Sequence, residues 1–132
     1  MENLNIINFD ELTKVILEIL PKDKTDAIYV FGSYVTEFFD EDSDIDIGWF
    51  SHDTSYSDYN LLEEQLEKDL GREVDLINAW DSKILIKNEI LAGQHIGSEI
   101  GYMSDKFCDW FDENIDEIIE EVRIYKLVMG GH

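Results

Sequence analysis

Three aspartates set among apolar residues are the part of this sequence best suited to chemistry. Asp44 and Asp46 alternate with isoleucines in the stretch SDIDIGWF, so both side chains should project from one face of a strand. Asp75 lies between two aliphatic residues in another apolar stretch, EVDLINA. Carboxylates this close repel each other unless a cation lies between them, and their hard oxygen atoms favour Mg²⁺ or Mn²⁺ over zinc. The pattern therefore predicts a divalent-metal site.

A glycine and a serine, Gly32 and Ser33, follow the apolar run AIYVF, where a predicted strand passes into a helix. A glycine there allows the backbone to approach a ligand, and the free amide groups of a helix N-terminus favour phosphate. Each feature alone has a simpler explanation, because most Gly-Ser pairs only form turns and most Asp-x-Asp stretches lie on solvated edge strands. Together, a phosphate-binding turn and three carboxylates indicate metal-dependent phosphoryl or nucleotidyl transfer.

The remaining pattern predicts a small mixed β-sheet with packed helices, of the α/β (α+β) class, that would position these residues. Apolar residues at helical spacing indicate a helix near residues 10–20, with Asp10 as its N-cap. Short β-branched and aromatic runs indicate strands. The predicted order continues with strand 27–31, a short helix 33–39, strand 43–50, a helix ending at Gly71, strand 73–79, a helix over 82–92, a turn or short strand over 93–97, and a long final helix over 104–127.

The composition fits one folded domain over residues 1–132 and argues against several functions. Apolar residues make up 44% of the chain, and 31 acidic residues against 10 basic ones give a net charge of −21. Because an acidic surface repels phosphate backbones, direct binding of nucleic acid is not expected. The single cysteine excludes an intramolecular disulfide. No membrane-length apolar run or signal peptide is present, which indicates a cytoplasmic protein without a membrane partner. Residues 130–132 resemble the remnant of an expression tag.

The spacing of the candidate residues matches a known family. Ten residues separate Ser33 from the Asp-x-Asp triplet at 44–46, which gives the pattern GS-x10-D-x-D, and Asp75 follows on the next predicted strand. With this pattern the chain resembles the DNA polymerase beta-like nucleotidyltransferase superfamily. Within it, the chain is similar to the minimal nucleotidyltransferases (MNT), which are often encoded beside HEPN-domain proteins as toxin–antitoxin pairs. The resemblance is densest over 28–77 and places the motif core at 26–97.

The resemblance implies the nucleotidyltransferase fold and a role for each candidate residue. Gly32 and Ser33 would contact the phosphates of ATP. Asp44, Asp46 and Asp75 would ligate two Mg²⁺ ions, with Mn²⁺ as an alternative, and Asp75 would also help to deprotonate the attacking hydroxyl. The implied reaction transfers AMP from ATP to a hydroxyl, with a tyrosine of a cognate HEPN ribonuclease toxin as the favoured acceptor. The toxin would thereby be neutralised within a hetero-oligomer.

Two other functions stay open on the sequence. Members of the family often carry a basic residue shortly after Gly-Ser, whereas residues 34–39 here are YVTEFF. The chain could therefore be a weak or inactive enzyme, an antitoxin that acts by binding alone. It could also transfer a nucleotide to a small cationic molecule such as an aminoglycoside, which an acidic pocket would attract.

Basic, histidine and tryptophan side chains carry weaker predictions. Arg72 and Lys87 are candidates for contacting phosphate, mainly because the chain has only 10 basic residues. His52 is expected in a solvent-exposed loop and His95 in a turn. The three tryptophans are expected in the core or at an interface rather than as platforms for a nucleotide base.

Overall fold

The computed structural model describes residues 8–35, 40 and 42–129, which form a four-stranded sheet with α-helices on both faces. The predicted mixed sheet with packed helices is confirmed. The suggested tag remnant at 130–132 lies outside these residues. No helix in the described ranges is both long and apolar enough to cross a membrane. The elements in chain order are α1 (Phe9–Ile19), β1 (Thr25–Phe31), β2 (Ile45–Ser51), α2 (Tyr56–Leu70), β3 (Val74–Asn78), α3 (Ile84–Leu91), β4 (Gln94–Ile96) and α4 (Asp105–Met129).

The strand order in the sheet is β3-β2-β1-β4. β1 pairs antiparallel with both β2 and β4, whereas β2 pairs parallel with β3, which follows it in the chain after α2. The register places Asp46 of β2 between Phe31 of β1 and Asp75 of β3. Two of the three predicted carboxylates therefore lie side by side on neighbouring strands.

Alternating residues of the two central strands point to opposite layers of helices. On one face, Ile28 and Val30 of β1 join Ile47 of β2 in a core with α1 and α2. On the other face, Tyr29 and Phe31 pack with residues of α3 and α4. All seven residues of β1 are buried. The strand is therefore an almost uninterrupted apolar run, because helices cover both of its faces.

The N-cap of α1 is Asn8, so the prediction of Asp10 is wrong. The side-chain oxygen of Asn8 accepts the Glu11 amide at 2.8 Å, and its amide nitrogen donates to the Glu11 carboxylate at 2.7 Å. This reciprocal pair satisfies a backbone amide that the helix itself leaves without a partner. Asp10 lies instead in the first turn, where its negative charge complements the helix dipole.

Other boundaries agree with the prediction to within about two residues, with two differences that affect the site. β2 begins at Ile45, so Asp44 precedes the strand instead of lying in it. The short helix predicted over 33–39 begins as a 3-10 helix at Gly32–Val35, and the rest of the predicted span, 36–39, lies outside the described residues. Residues 93–97 were predicted to form either a turn or a short strand, and the structure has the short strand β4 there.

A buried carboxylate away from the predicted site, Asp26 of β1, forms hydrogen bonds with side chains from the loops that follow β2 and β3. Its side chain is 2% exposed and accepts hydrogen bonds from Trp80 Nε1 at 2.9 Å and His52 Nδ1 at 3.2 Å. Burial alone would raise the pKa of Asp26, but hydrogen bonds from Ser104, Trp80 and His52, with the charge of His52, outweigh it and lower that pKa. His52 thus lies in the loop after β2 and is partly exposed, as predicted, but its side chain also links that loop to Asp26 of β1, a contact that the prediction did not include.

Replacing Asp26 with asparagine should lower the unfolding free energy at neutral pH by about 1–3 kcal/mol, because charged hydrogen bonds in a buried site are lost. Since folding lowers the pKa of Asp26, its contribution is fully present above the ordinary aspartate pKa of about 4. The contribution disappears as the pH falls through the lower folded-state value. Urea unfolding of the wild type and the Asp26→Asn variant from about pH 7 to about pH 3 measures this.

The matched control is Asp23→Asn, which removes an exposed carboxylate just before β1 and should change the unfolding free energy little. A difference between the wild type and the Asp26→Asn variant that stays constant over the whole pH range would contradict the role assigned to the charge of Asp26.

Candidate active site

Three carboxylates, those of Asp44, Asp46 and Asp75, come together where β2 begins. Asp46 and Asp75 are in register on parallel strands, and their side chains share a hydrogen bond. Asp46 is half-buried, whereas Asp44 and Asp75 are exposed. Asp44, directly before β2, is close enough for its charge to act on Asp46. The structure thus places Asp46 and Asp75 in direct contact, with Asp44 near enough for its charge to be felt at Asp46.

The pKa of Asp46 is raised strongly by its surroundings in the site. Burial raises the pKa of Asp46, the charge of Asp75 and the hydrogen bond to it raise the pKa further, and the charges of Asp44 and Glu89 add to the effect. The resulting pKa is about 7. Near neutral pH, Asp46 therefore holds a proton for much of the time, because burial and the negative charge around it both favour the neutral form.

This donor set suits a hard divalent cation such as Mg²⁺, because all three predicted ligands offer carboxylate oxygens. A cation would also relieve the repulsion that raises the pKa of Asp46. Within the described part of the chain, no group of three His, Cys, Asp or Glu side chains is arranged so that it could hold a metal ion by itself. Magnesium does not require one, since it is commonly held by one or two carboxylates together with substrate phosphates. The residues that would hold it are Asp44, Asp46 and Asp75.

Gly32 lies directly against Asp46, a contact that the sequence did not reveal. Its backbone has a φ of +74°, in the left-handed region that favours glycine. A Cβ at this position would collide with Asp46 Oδ2 and lie 3.1 Å from Asp46 Cγ. The Gly-Ser turn therefore needs glycine for two reasons, its backbone conformation and the space that the Asp46 carboxylate occupies. Ser33 follows in the same 3-10 turn, half-exposed.

The two cations predicted to contact phosphate have other partners in this structure. Arg72 Nη1 donates to the carbonyl oxygens of Asp40 at 3.0 Å and Ser43 at 2.7 Å. It therefore holds the segment that leads into Asp44. Lys87 Nζ donates to the carbonyl oxygen of Trp80 at 3.1 Å, and this hydrogen bond links α3 to the loop that precedes it.

A fourth carboxylate, Glu89 of α3, lies near the site and was not predicted. Its charge contributes to the raised pKa of Asp46. The next residue, Ile90, fills the space above Gly48, where an added Cβ would lie 2.9 Å from Ile90 Cγ1. A glycine inside a strand indicates that another segment of the chain packs closely on the strand. Gly48 was therefore the one sequence feature that could have predicted the approach of a helix to this site. It does not say which segment approaches, so Glu89 could not have been found from it.

Histidine and tryptophan side chains near the site are structural. His95 belongs to β4 rather than a turn, and its ring stacks on Tyr29 at 4.5 Å between ring centroids and an angle of 6°. Burial lowers the pKa of His95, although the charge of Glu99 acts in the opposite direction. Trp49 is fully buried, and the other two tryptophans pack in the cluster around Phe107. Of the predicted core or interface positions, Trp49 therefore occupies the core, whereas Trp80 and Trp110 are half-buried at the edge of a core cluster.

Comparison of the whole sequence with protein families gives one match that bears on this site. The profile of the family described as polymerase beta, nucleotidyltransferase, matches residues 14–99, a range that contains every residue of the site described above. A candidate protein adenylyltransferase from Methanocaldococcus jannaschii is 36% identical over 86 residues, which cover 64% of this chain and 92% of that protein.

Solved structures with a similar fold include chains of toxin–antitoxin complexes. A chain from a toxin–antitoxin complex with AMP-PNP has a TM-score of 0.61 at 21% identity, over 94% of this chain and 91% of that one. A chain from a complex of tri-AMPylated Shewanella oneidensis HEPN toxin with MNT antitoxin has a TM-score of 0.56 at 20% identity, over 90% and 87%. At these identities the likeness establishes a shared fold.

Proposed function

The chain belongs to the polymerase beta nucleotidyltransferase family, and on this basis we propose that it transfers AMP from ATP to a hydroxyl of a HEPN-domain toxin. A tyrosine is the proposed acceptor, and its modification would neutralise the toxin, so that the chain acts as an antitoxin. Two similar proteins support the proposal. The Methanocaldococcus jannaschii relative is named for protein adenylyltransfer, and one solved complex holds an AMPylated HEPN toxin with an MNT antitoxin.

The observation that carries the proposal is the pair formed by Asp46 and Asp75. Their placement in register on parallel strands brings two carboxylates into hydrogen-bonding contact, and the pKa of Asp46 rises to about 7. Such crowding of like charge costs stability, and sites that serve only folding rarely contain it. Gly32, which directly follows β1, contacts the Asp46 carboxylate on the side away from β3. The turn suited to phosphate therefore lies next to the carboxylate pair suited to cations.

The proposed reaction joins the acceptor oxygen to the α-phosphorus of ATP. As that O–P bond forms, the bond between the α-phosphorus and the bridging oxygen breaks, and pyrophosphate leaves. Asp75 is exposed and already hydrogen-bonded within the site, so it is placed to accept the hydroxyl proton. The turn at Gly32 and Ser33 would bind phosphate oxygens through backbone amides and the serine hydroxyl. Two Mg²⁺ ions, or Mn²⁺, held by Asp44, Asp46 and Asp75 would neutralise phosphate charge and favour departure of pyrophosphate.

The charge of the chain supports a protein as the acceptor rather than a nucleic acid. The excess of 31 acidic over 10 basic residues repels phosphate backbones and attracts a basic protein surface. A hetero-oligomer with a HEPN toxin fits this charge. We propose no direct contact with nucleic acid and no membrane partner.

The proposal is tested by incubating the chain with ATP, Mg²⁺ and a HEPN-domain toxin from the same organism, with intact-protein mass spectrometry of the HEPN protein as the measurement. We expect the wild type to add AMP. Asp75→Asn should slow the transfer by at least about a hundredfold, because the proton acceptor and a metal ligand are lost together. Chelation of divalent cations should stop the transfer by the wild type.

Asp69→Asn is the matched control, because it removes an exposed carboxylate of α2 and should leave the transfer rate unchanged. Transfer by Asp75→Asn at the wild-type rate would contradict the catalytic assignment. A HEPN protein that is inhibited without gaining AMP would instead support an antitoxin that acts by binding alone.

A further inference from the structure

One side of α3 combines exposed apolar side chains with a carboxylate. Leu85 and Ile86 precede Glu89 by four and three residues, so these three side chains are neighbours on the helix surface. Leu85 is 74% exposed and Ile86 is 36% exposed, whereas Asn88 and Ile90 are buried. We refer to the side formed by Leu85, Ile86 and Glu89 as the outer face of α3. Exposed apolar side chains next to a reactive site are typical of interaction surfaces.

Two close contacts hold α3 beside the carboxylates of the site. Ile90 packs on Gly48, which lies two residues after Asp46 and therefore on the same side of β2. Just past the end of the helix, Gly93 lies so close to Phe31 that an added Cβ would stand 2.9 Å from the Phe31 Cα. Phe31 is the cross-strand neighbour of Asp46. Both contacts therefore involve neighbours of Asp46 in the sheet, and they place the C-terminal end of α3 beside the site.

Glu89 is the residue of the outer face that lies toward the site. It precedes Ile90 directly, and its charge acts on Asp46. Among the described residues, no hydrogen bond or ion pair engages the Glu89 carboxylate, which leaves it available to a cation from outside. The nearest basic side chain of the helix, Lys87, is directed to the Trp80 carbonyl and the Trp110 ring instead. The outer face therefore presents apolar surface and negative charge, with no positive charge of its own.

We propose that the outer face of α3 is the docking surface for the protein that carries the acceptor hydroxyl. The inference rests on the proposed nucleotidyl transfer and specifies the contact that selects its acceptor. Leu85 and Ile86 receive an aliphatic or aromatic side chain of the partner, and Glu89 pairs with an arginine or lysine near the acceptor hydroxyl. The net charge of −21 and the Glu89 carboxylate both repel an acidic segment, so the occupant is a basic segment with an apolar anchor.

A pair of variants on the same helix tests this surface. Leu85→Ala removes the apolar contact, and Ile84→Ala is its matched control, because Ile84 is 62% exposed but shares its side of α3 with the buried Asn88. Calorimetry measures two affinities of each variant: that for the HEPN-domain protein in the absence of ATP, and that for AMP-PNP. We expect Leu85→Ala to weaken HEPN binding about tenfold, as removal of an interface anchor does. Ile84→Ala should bind HEPN protein as the wild type does, and neither variant should alter AMP-PNP affinity.

A second pair of variants tests the proposed ion pair between Glu89 and a basic residue of the partner. Glu89→Gln should reduce the salt dependence of HEPN binding, because one attractive charge is lost from the interface. Glu64→Gln removes an exposed carboxylate from α2, on the opposite side of the sheet, and should keep the salt dependence of the wild type. Equal salt dependence for both variants would overturn the role of Glu89.

Binding and transfer are measured separately, so the docking surface and the reaction can fail independently. Unchanged HEPN binding by Leu85→Ala, or an equal loss in Ile84→Ala, would overturn the docking surface even if AMP transfer occurs. Weaker binding by Leu85→Ala alone, with no AMP added even by the wild type, would support the docking surface and contradict the proposed reaction.

Discussion

Replacing Asp44 and Asp46 together with asparagine should reduce AMP transfer by about a thousandfold or more. These carboxylates are the proposed metal ligands, and metal-assisted stabilisation of developing phosphate charge contributes several kcal/mol to such reactions, which corresponds to a loss of that size. Single-turnover transfer at saturating ATP and Mg²⁺ is the measurement. The matched control replaces Asp109 and Asp112, two exposed carboxylates of α4, and removes the same charge far from the site residues in sequence.

The fold of the Asp44 and Asp46 variant should survive, and its stability without metal has a predicted pH dependence. Folding raises the pKa of Asp46 to about 7, so the folded protein binds more protons than the unfolded chain between about pH 4 and pH 7. The wild type therefore loses stability from this group as the pH rises through that window. Asparagine does not titrate, so the variant should lack this loss. Full transfer activity, or the same pH-dependent loss in the variant, would contradict the role assigned to these residues.

Gly32→Ala should reduce AMP transfer by about a hundredfold, although it adds only one methyl group. The new Cβ would collide with Asp46 Oδ2, so the carboxylate or the turn must move. Displacement of a reacting group by about 1 Å typically costs a factor of this order. The variant should also be less stable than the wild type, because alanine is strained at a φ of +74°. Transfer rates and urea unfolding measure the two effects.

Gly71→Ala separates backbone strain from the collision with Asp46. Gly71 ends α2 with a φ of +71°, nearly the value of Gly32, but an added Cβ there would meet no atom within 4 Å. Gly71→Ala should therefore cost about 1–2 kcal/mol of stability through backbone strain, and transfer activity should be normal. If the two variants lose the same activity, the contact between Gly32 and Asp46 does not position the carboxylate.

The family and the mixed sheet were predictable because their signals are local. The GS-x10-D-x-D spacing and the later Asp75 depend on residue types along the chain, and the matching family profile confirms the resemblance. Period-2 and helical apolar patterns place most strands and helices within about two residues, since burial of one face imposes them. The N-cap of α1 was missed because Asn8 and Asp10 are both good capping residues, and the choice depends on where the first turn closes.

The contacts that give the site its properties depend on which strands are neighbours and in what register. Asp46 meets Asp75 because β2 and β3 are parallel and aligned there, and it meets Gly32 because β1 lies on its other side. A shift of one residue in either pairing would turn these side chains to opposite faces. Glu89 joins them only through the packing of α3 on Gly48. Residue types and spacing thus specify which groups are available for chemistry. Long-range packing specifies which of them touch, since contact between segments distant in the chain follows from strand order and helix placement.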